Sequence, residues 1–399
     1  MPIPTPFHPR ISSLCTSLLW KDWAGYYSVR SFETGHEREY FAFRHAAGMI
    51  DVTPLYKYEV HGSGACAFLS RIMVRDIGKL SVGQVAYLCW CNDGGHVIDD
   101  GTVARLDEDY YRVTSTEANY HWFIRHARGF DVTIEDSTAR LAALSIQGPN
   151  ARHIVSAATG GDAESLKFFG LLKTRVDGFD AMVTRTGYTG DLGYEIWVEN
   201  ARALALWDAI VAAGKPYGLE PAGLDAMDVT RVEAGFILNG VDYFSALRCM
   251  IEPRKSTPYE LALGWAVHLR RGESAPFIGG AALAEEKVRG PKRQFVGLDI
   301  DWDEYEALFR EHGLPPEVHS GGWRDAKPVY DRDGRFIGQA TSGAWSPLLK
   351  KNLALATVRS PFGEIGTKVL FEVTVEYERR TVSATVVKKP FFDPERKRA

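Results

Sequence analysis

Two adjacent carboxylates, Asp99 and Asp100, follow the run Asn92-Asp93-Gly94-Gly95-His96-Val97-Ile98. Asn-Asp-Gly-Gly is turn chemistry, so the acids fall on the strand that leaves the turn. Neighbours on a strand face opposite sides. One of the pair is therefore expected to point inward and the other to be solvated. An inward carboxylate costs desolvation unless it has a partner or a task; the competing reading is a plain hairpin end. The second chemical feature is Thr186-Gly187-Tyr188-Thr189-Gly190-Asp191-Leu192-Gly193-Tyr194-Glu195-Ile196. Three glycines in it force a tight loop that allows close backbone approach. Glu195 then opens a strand. A carboxylate placed there can accept two parallel N–H donors from a planar heterocycle, as it does from guanidinium. The bland alternative is a Gly-rich turn with a surface Glu.

Other motifs carry less. Gly62-Ser63-Gly64-Ala65-Cys66-Ala67 fits the loose dinucleotide fingerprint. A strand buried on both faces would precede such a fingerprint as an unbroken apolar run, but here Lys57, Glu59 and His61 alternate with apolar residues. A structural turn and helix start is expected. Cys89 and Cys91 flank Trp90 and share one strand face, with no further ligands at metal spacing. They read as buried structural cysteines, and no metal site is expected. His45, His61 and His121 match neither metal nor triad spacing and read as structural.

The elements that must hold these groups are short and mixed. Alternation predicts strands around Tyr56-Lys57-Tyr58-Glu59-Val60, Val85 to Trp90, Tyr110 to Thr114 and Ala181 to Thr186. A helix is expected over 201–213, with Leu204, Trp207 and Val211 on one face, Asn200 as cap and Gly214 as stop. Another follows Glu220-Pro221, with Pro in its first turn, and runs to Gly235. A third follows Ser63 and carries Ala67, Phe68, Ile72 and Met73. Strands and helices alternate without a βαβ period, so the class is α+β. From Gln294 onward the chain reads as a separate all-β domain, with Asp333-Gly334 as a hairpin turn. The polar stretch 301–325 looks like an insertion or lid.

The chain has 399 residues, 47 Lys+Arg against 51 Asp+Glu, and a net charge of −4 without long runs of one sign. Length alone predicts two to four domains. A nucleic-acid partner is not expected from that balance, nor a membrane span, since no 18-residue apolar stretch exists. The N-terminus MPIPTPFHPR lacks the basic and apolar regions of a signal peptide. Five cysteines, an odd number, argue against a disulfide framework and fit a cytoplasmic location.

Taken together, the ordered motifs resemble the aminomethyltransferase family, the T-protein of the glycine cleavage system and its relatives. They are residues 45–52, Gly94-Gly95-His96-Val97-Ile98-Asp99-Asp100, Gln147-Gly148-Pro149-Asn150-Ala151, residues 186–196, Arg231-Val232-Glu233-Ala234-Gly235 and Thr341-Ser342-Gly343-Ala344-Trp345-Ser346-Pro347. The resemblance implies three domains around a central tetrahydrofolate site: 1–52 with 140–250, then 53–139, and a jelly-roll or barrel-like 290–399. It implies Asp99 as the catalytic group. Glu195 would grip the pterin edge, and Tyr188, Tyr87, Asp100 and Arg231 would help bind the folate. The donor would be a small molecule or a lipoyl carrier protein; oligomeric state stays open. The related iron–sulfur assembly factors carry a K-G-C-Y-x-G-Q-E motif, which Gly235-Phe236-Ile237-Leu238-Asn239-Gly240 does not match. A complete flavin-linked oxidase is not expected, since no flavin domain precedes residue 1. Three departures stand out. Met227 and Thr114 occupy positions where glycine-cleavage enzymes usually carry Arg and Asn, and 301–325 is long. Asp99 leans toward an amine-type donor, whereas Met227 and Thr114 lean away from standard glycine cleavage. The alternative activity is a folate-dependent O-, S- or N-demethylase. Loss of the Arg is expected to favour an apolar or methylated small donor. Trp302, Tyr305, Phe309 and Trp323 are expected to cover the opening.

Overall fold

The computed structural model describes residues 1–269 and 277–399. One six-stranded sheet has the order Leu171–Val176, Phe179–Thr184, Gly193–Glu199, Leu141–Gln147, Ala47–Asp51 and Leu219–Pro221. Only its last pair is parallel. Leu141–Gln147 lies centrally and every residue of it is buried, the pattern of a strand covered on both faces. Pro221 ends an edge strand, where its missing N–H breaks no ladder; the helix begins later, at Leu224. Gly223 between them admits the backbone of Arg30, whose carbonyl would lie 2.3 Å from any Cβ.

A second, five-stranded antiparallel sheet has the order Val85–Cys91, Val97–Asp107, Tyr110–Ser115, Tyr56–His61 and Thr133–Asp136. The alternation in Tyr56–His61 does not mark a solvated face. Lys57 and Glu59 are buried. The Lys57 ammonium donates to the carbonyls of Thr53 and Leu55, and Glu59 accepts from Arg112 at 2.7 Å and from Ser137. Gly62 and Gly64 pack directly on the backbone of Asp131, where a Cβ would meet atoms at 2.6–2.8 Å. That contact explains the Gly-x-Gly spacing structurally. The helix Ala65–Ile72 follows as expected.

The C-terminal strands close into a six-stranded barrel: Arg293–Ile300, Lys351–Arg359, Phe336–Ser346, Lys327–Tyr330, Lys368–Val375 and Glu378–Val387. Gly334 turns the expected hairpin at φ +77°. The helix Ala203–Gly214 buries Ala203, Leu206, Trp207 and Ile210, while Val211 is exposed. The predicted face was thus rotated. Asn200 does not cap it; its amide donates to the Ala139 carbonyl. The aromatics of the stretch 301–325 do not cover the opening. Asp301 caps the helix Trp302–Glu311, and Tyr305, Leu308 and Phe309 bury themselves in the barrel core. A hydrophobic face docked on a core is the ordinary reason for such a helix.

Helix Leu224–Glu233 joins the parts. Buried Glu233 accepts from Tyr40 at 2.6 Å, from Arg44 at 2.6 Å and from barrel residue Ser346. Arg231 donates to Asp228 and Asp242, each at 2.7 Å. Asp242 in turn accepts from Thr341 and Ser342 of the barrel. No helix among the described residues is long and apolar enough to cross a membrane.

Candidate functional site

A cavity of about 1190 Å³ opens among the two sheets, the end of the barrel and residues 234–239. Two strand rows aim side chains into it. In the six-stranded sheet Glu195 pairs with Ser145, and Ser145 with Ile50. Directly paired residues share a face, and all three line the cavity. The Gly-rich loop wraps around Gln147. A Cβ on Gly187 or Gly193 would fall within 2.1 Å of the Gln147 amide. That amide donates to the Thr186 carbonyl and accepts from Thr189 at 2.9 Å. The glycines therefore fix where Thr186, Tyr188 and Glu195 stand.

Glu195 accepts from the Thr186 hydroxyl at 2.8 Å, and burial pushes its carboxyl pKa up. It has no cationic partner among the described residues. Two aromatic pairs line the same space. Tyr188 lies over Phe236 at 5.6 Å and 28°, its hydroxyl donating to the Ile237 carbonyl. Tyr87 lies near Trp265 at 6.3 Å and 28°. Such offset faces suit a flat ring system.

Asp99 and Asp100, on the strand Val97–Asp107, are both buried, against the expectation that one is solvated. They are nonetheless unlike. Asp99 points away from the cavity into a nest of donors. It accepts from Thr116, the Glu117 amide at 2.9 Å, Asn119 at 2.8 Å, Asn239 at 2.9 Å and Tyr243 at 3.3 Å. Asp100 lines the cavity and, among the described residues, accepts from the side chains of two phenols, Tyr87 at 2.7 Å and Tyr243. Burial, then the Asp99 charge, push the Asp100 carboxyl up to about 7. Burial pushes the Asp99 carboxyl up as well, but its hydrogen-bond donors oppose that rise, whereas Asp100 has fewer donors to do so.

Of the residues singled out from sequence, Glu195, Tyr188, Tyr87 and Asp100 meet at this cavity. Arg231 does not. Its guanidinium is buried and held by Asp228, Asp242, Ser342 and the Phe236 carbonyl. It organises the junction with the barrel. Met227 and Thr114 both line the cavity. Trp302, Tyr305, Phe309 and Trp323 line a separate space of about 60 Å³ instead. Tyr243, Asn239 and Trp265 escaped the sequence reading. They lie far along the chain from the acids and Tyr87, so no spacing ties them together. Among the described residues no group of His, Cys, Asp and Glu could hold a metal ion.

Known proteins resemble this chain over most of its length. Residues 15–271 match the GCVT N-terminal domain, and residues 293–393 match the glycine cleavage T-protein C-terminal barrel domain. An aminomethyltransferase of Caldanaerobacter subterraneus is 35% identical over 376 residues, covering 93% of this chain and 91% of that protein. One of Bacillus subtilis is 34% identical over 361 residues, covering 89% and 90%. The solved glycine cleavage system aminomethyltransferase T of Bartonella henselae superposes with a TM-score of 0.83 at 25% identity, covering 98% of this chain and 99% of that one. The chain belongs to the aminomethyltransferase family, the T-protein family of transferase enzymes.

Proposed function

We propose that the cavity takes tetrahydrofolate and that the chain transfers a one-carbon group to it. The leading activity is aminomethyl transfer, with release of ammonia and formation of 5,10-methylenetetrahydrofolate. The observation that carries this reading is Glu195, a half-buried carboxyl with hydroxyl partners and no cation among the described residues, at the wall of a cavity with paired aromatic faces. Reduced folate fits these residues. Its pterin edge offers adjacent N–H groups to Glu195, and its rings suit Tyr188, Phe236, Tyr87 and Trp265. Lys389 and Lys397 stand at the Phe236 end, where positive charge suits the glutamate tail. Folate supplies the nucleophilic nitrogen when bound. The protein supplies orientation, and a carboxyl beside the reacting carbon stabilises positive charge as it develops. Asp100 faces the cavity, so we assign it the part that the family resemblance gave to Asp99; Asp99 stands behind it, held by the Glu117 amide, Asn119 and Asn239.

Met227 and Thr114 at the cavity wall favour a second reading, a demethylase that takes a small methylated donor. The donor is then a free molecule rather than a lipoyl carrier protein. Five free cysteines, three of them buried, suit a cytoplasmic setting. Calorimetric titration with tetrahydrofolate tests the site. Losing one partner of a buried charged hydrogen-bonded pair costs roughly 2–5 kcal/mol. Glu195→Ala is therefore expected to bind at least ~10-fold more weakly. Equal affinity would move the pterin elsewhere.

A further inference from the structure

The stretch 311–325 ends in a built feature. Gly322 lies against helix Leu224–Glu233, where a Cβ would meet the Asp228 carboxyl carbon at 2.8 Å. Trp323 bonds through its backbone to Gly343, N to O at 2.8 Å and O to N at 3.1 Å, and its indole fills the space above that glycine. These two contacts fix Arg324. Its Nε donates to Asp228 at 2.8 Å, and the side chain lines the large cavity. Its terminal amino groups have no protein partner among the described residues. Arg324 thus brings a guanidinium to the cavity that Met227 also lines.

A second cation stands with it. Lys21, on the hairpin strand Leu19–Trp23, lines the same cavity and makes no ion pair among the described residues. Burial, then the neighbouring Arg324 charge, lower its pKa. Arg324 is paired through Nε with Asp228 and Lys21 has no ion pair among the described residues, so the two carry more positive than negative charge and favour an anion between them. The charged groups facing the pair are known. Asp228 is shared with Arg231, and Asp225 is taken by Arg30 at 3.0 Å. Asp22 accepts from the Gly25 amide. Arg231 also holds Asp242, so Arg324 keeps its share of Asp228 and Lys21 is the cation left without a carboxylate among the described residues.

The position of the pair separates it from the folate clamp. Glu195 belongs to the third strand of the six-stranded sheet, whereas Leu224 and Met227 follow the edge strand Leu219–Pro221. Three strand spacings of ~4.8 Å put that edge strand on the order of 15 Å from the strand of Glu195. The tail-suited lysines stand at the Phe236 end.

We propose that Lys21 and Arg324 form the donor-recognition subsite, and that the one-carbon donor is a small molecule carrying a carboxylate. Guanidinium binds carboxylate through paired N–H donors; Lys21 adds a point charge, and Leu224 and Met227 an apolar flank. This reverses the expectation that Met227 makes the donor side wholly apolar. It rests on the folate-transferase reading and names the donor class within it.

The test uses the full chain loaded with tetrahydrofolate and matched probes: sarcosine, N,N-dimethylglycine and 4-methoxybenzoate, each beside its neutral amide. Folate modification is read by mass, and probe binding by calorimetry. At least one acid is expected to be favoured over its amide by tenfold or more in kcat/KM or affinity. Lys21→Met breaks no protein contact and is expected to remove most of that preference through KM, with kcat changed less. Arg324→Gln is expected to do the same and Arg324→Lys to restore part of it. Tetrahydrofolate affinity is expected to stay within twofold in all three variants. Equal use of acid and amide, no acid binding at all, or an unchanged preference in Lys21→Met overturns the proposal. Lost folate affinity in the variants also overturns it, by assigning the pair to the folate tail. Failure of the unaltered protein to bind tetrahydrofolate would instead overturn the folate reading itself.

Discussion

Replacing Asp100 by Asn separates two consequences of its burial. The carboxyl stands near 7 instead of 3.8, because it is desolvated and faces Asp99. A raised folded-state pKa means that the native protein holds a proton which the unfolded chain has released. Asp100 therefore costs nothing below about pH 4, and its cost grows as pH rises toward 7. A displacement of about three units is worth roughly 4 kcal/mol at full ionisation. That figure is a ceiling, since the amide side chain that replaces the carboxyl would offer one acceptor to the two phenols of Tyr87 and Tyr243. Asp100→Asn removes the charge and keeps the shape. Relative to the parent protein, it is expected to gain resistance to urea at pH 8 and little at pH 4.5. Turnover is expected to fall roughly 100-fold or more, with tetrahydrofolate affinity changed far less. Paired urea titrations at the two pH values and one rate measurement check this. An identical stability difference at both pH values would refute the raised carboxyl, and near-normal turnover would refute its role.

Other consequences are equally direct. Tyr87→Phe removes one of the two phenol donors to Asp100, so the limb of the pH–rate profile set by that acid is expected to move to higher pH; an unmoved limb separates the two residues. Asp99→Asn places an amide among the donors of Asn119, Asn239 and the Glu117 backbone, and is expected to cost about 1–3 kcal/mol by denaturant titration. Glu233→Ala strips Arg44 of its main partner and cuts the tie to Ser346. It is expected to cost about 3–5 kcal/mol, seen as earlier release of the barrel in limited proteolysis. Chelators are expected to leave activity intact.

Much of the fold was legible because local chemistry agreed with global structure. Gly62 and Gly64, the Asp333-Gly334 turn and the apolar C-terminal strands each specify their own geometry. The Gly-rich loop before Glu195 was legible as a tight turn, and Gly187 and Gly193 pack on the Gln147 amide. What the sequence hid was long-range satisfaction of buried polar groups. Lys57 and Glu59 look like a solvated face until Thr53, Leu55 and Arg112 are seen around them. Asp99 and Asp100 look alike until Asn119, Asn239 and Tyr243 are assembled around one of them. Arg231 looked like a ligand-binding cation because two acids that neutralise it, Asp228 and Asp242, give no sign in sequence of pointing at it. The 301–325 stretch was misjudged because its aromatics match a helix docked on the barrel as well as they match a lid.

The central claim is that a one-carbon group moves onto tetrahydrofolate in this cavity. Its most direct test is a single-turnover mixture of protein, tetrahydrofolate and donor, quenched and read by mass. Aminomethylated lipoyl carrier and the small donors are supplied in separate reactions. The account predicts folate heavier by one carbon, as methylene- or methyl-tetrahydrofolate, with at least one donor, and a large loss of that product in Asp100→Asn. Unmodified folate with every donor would contradict it.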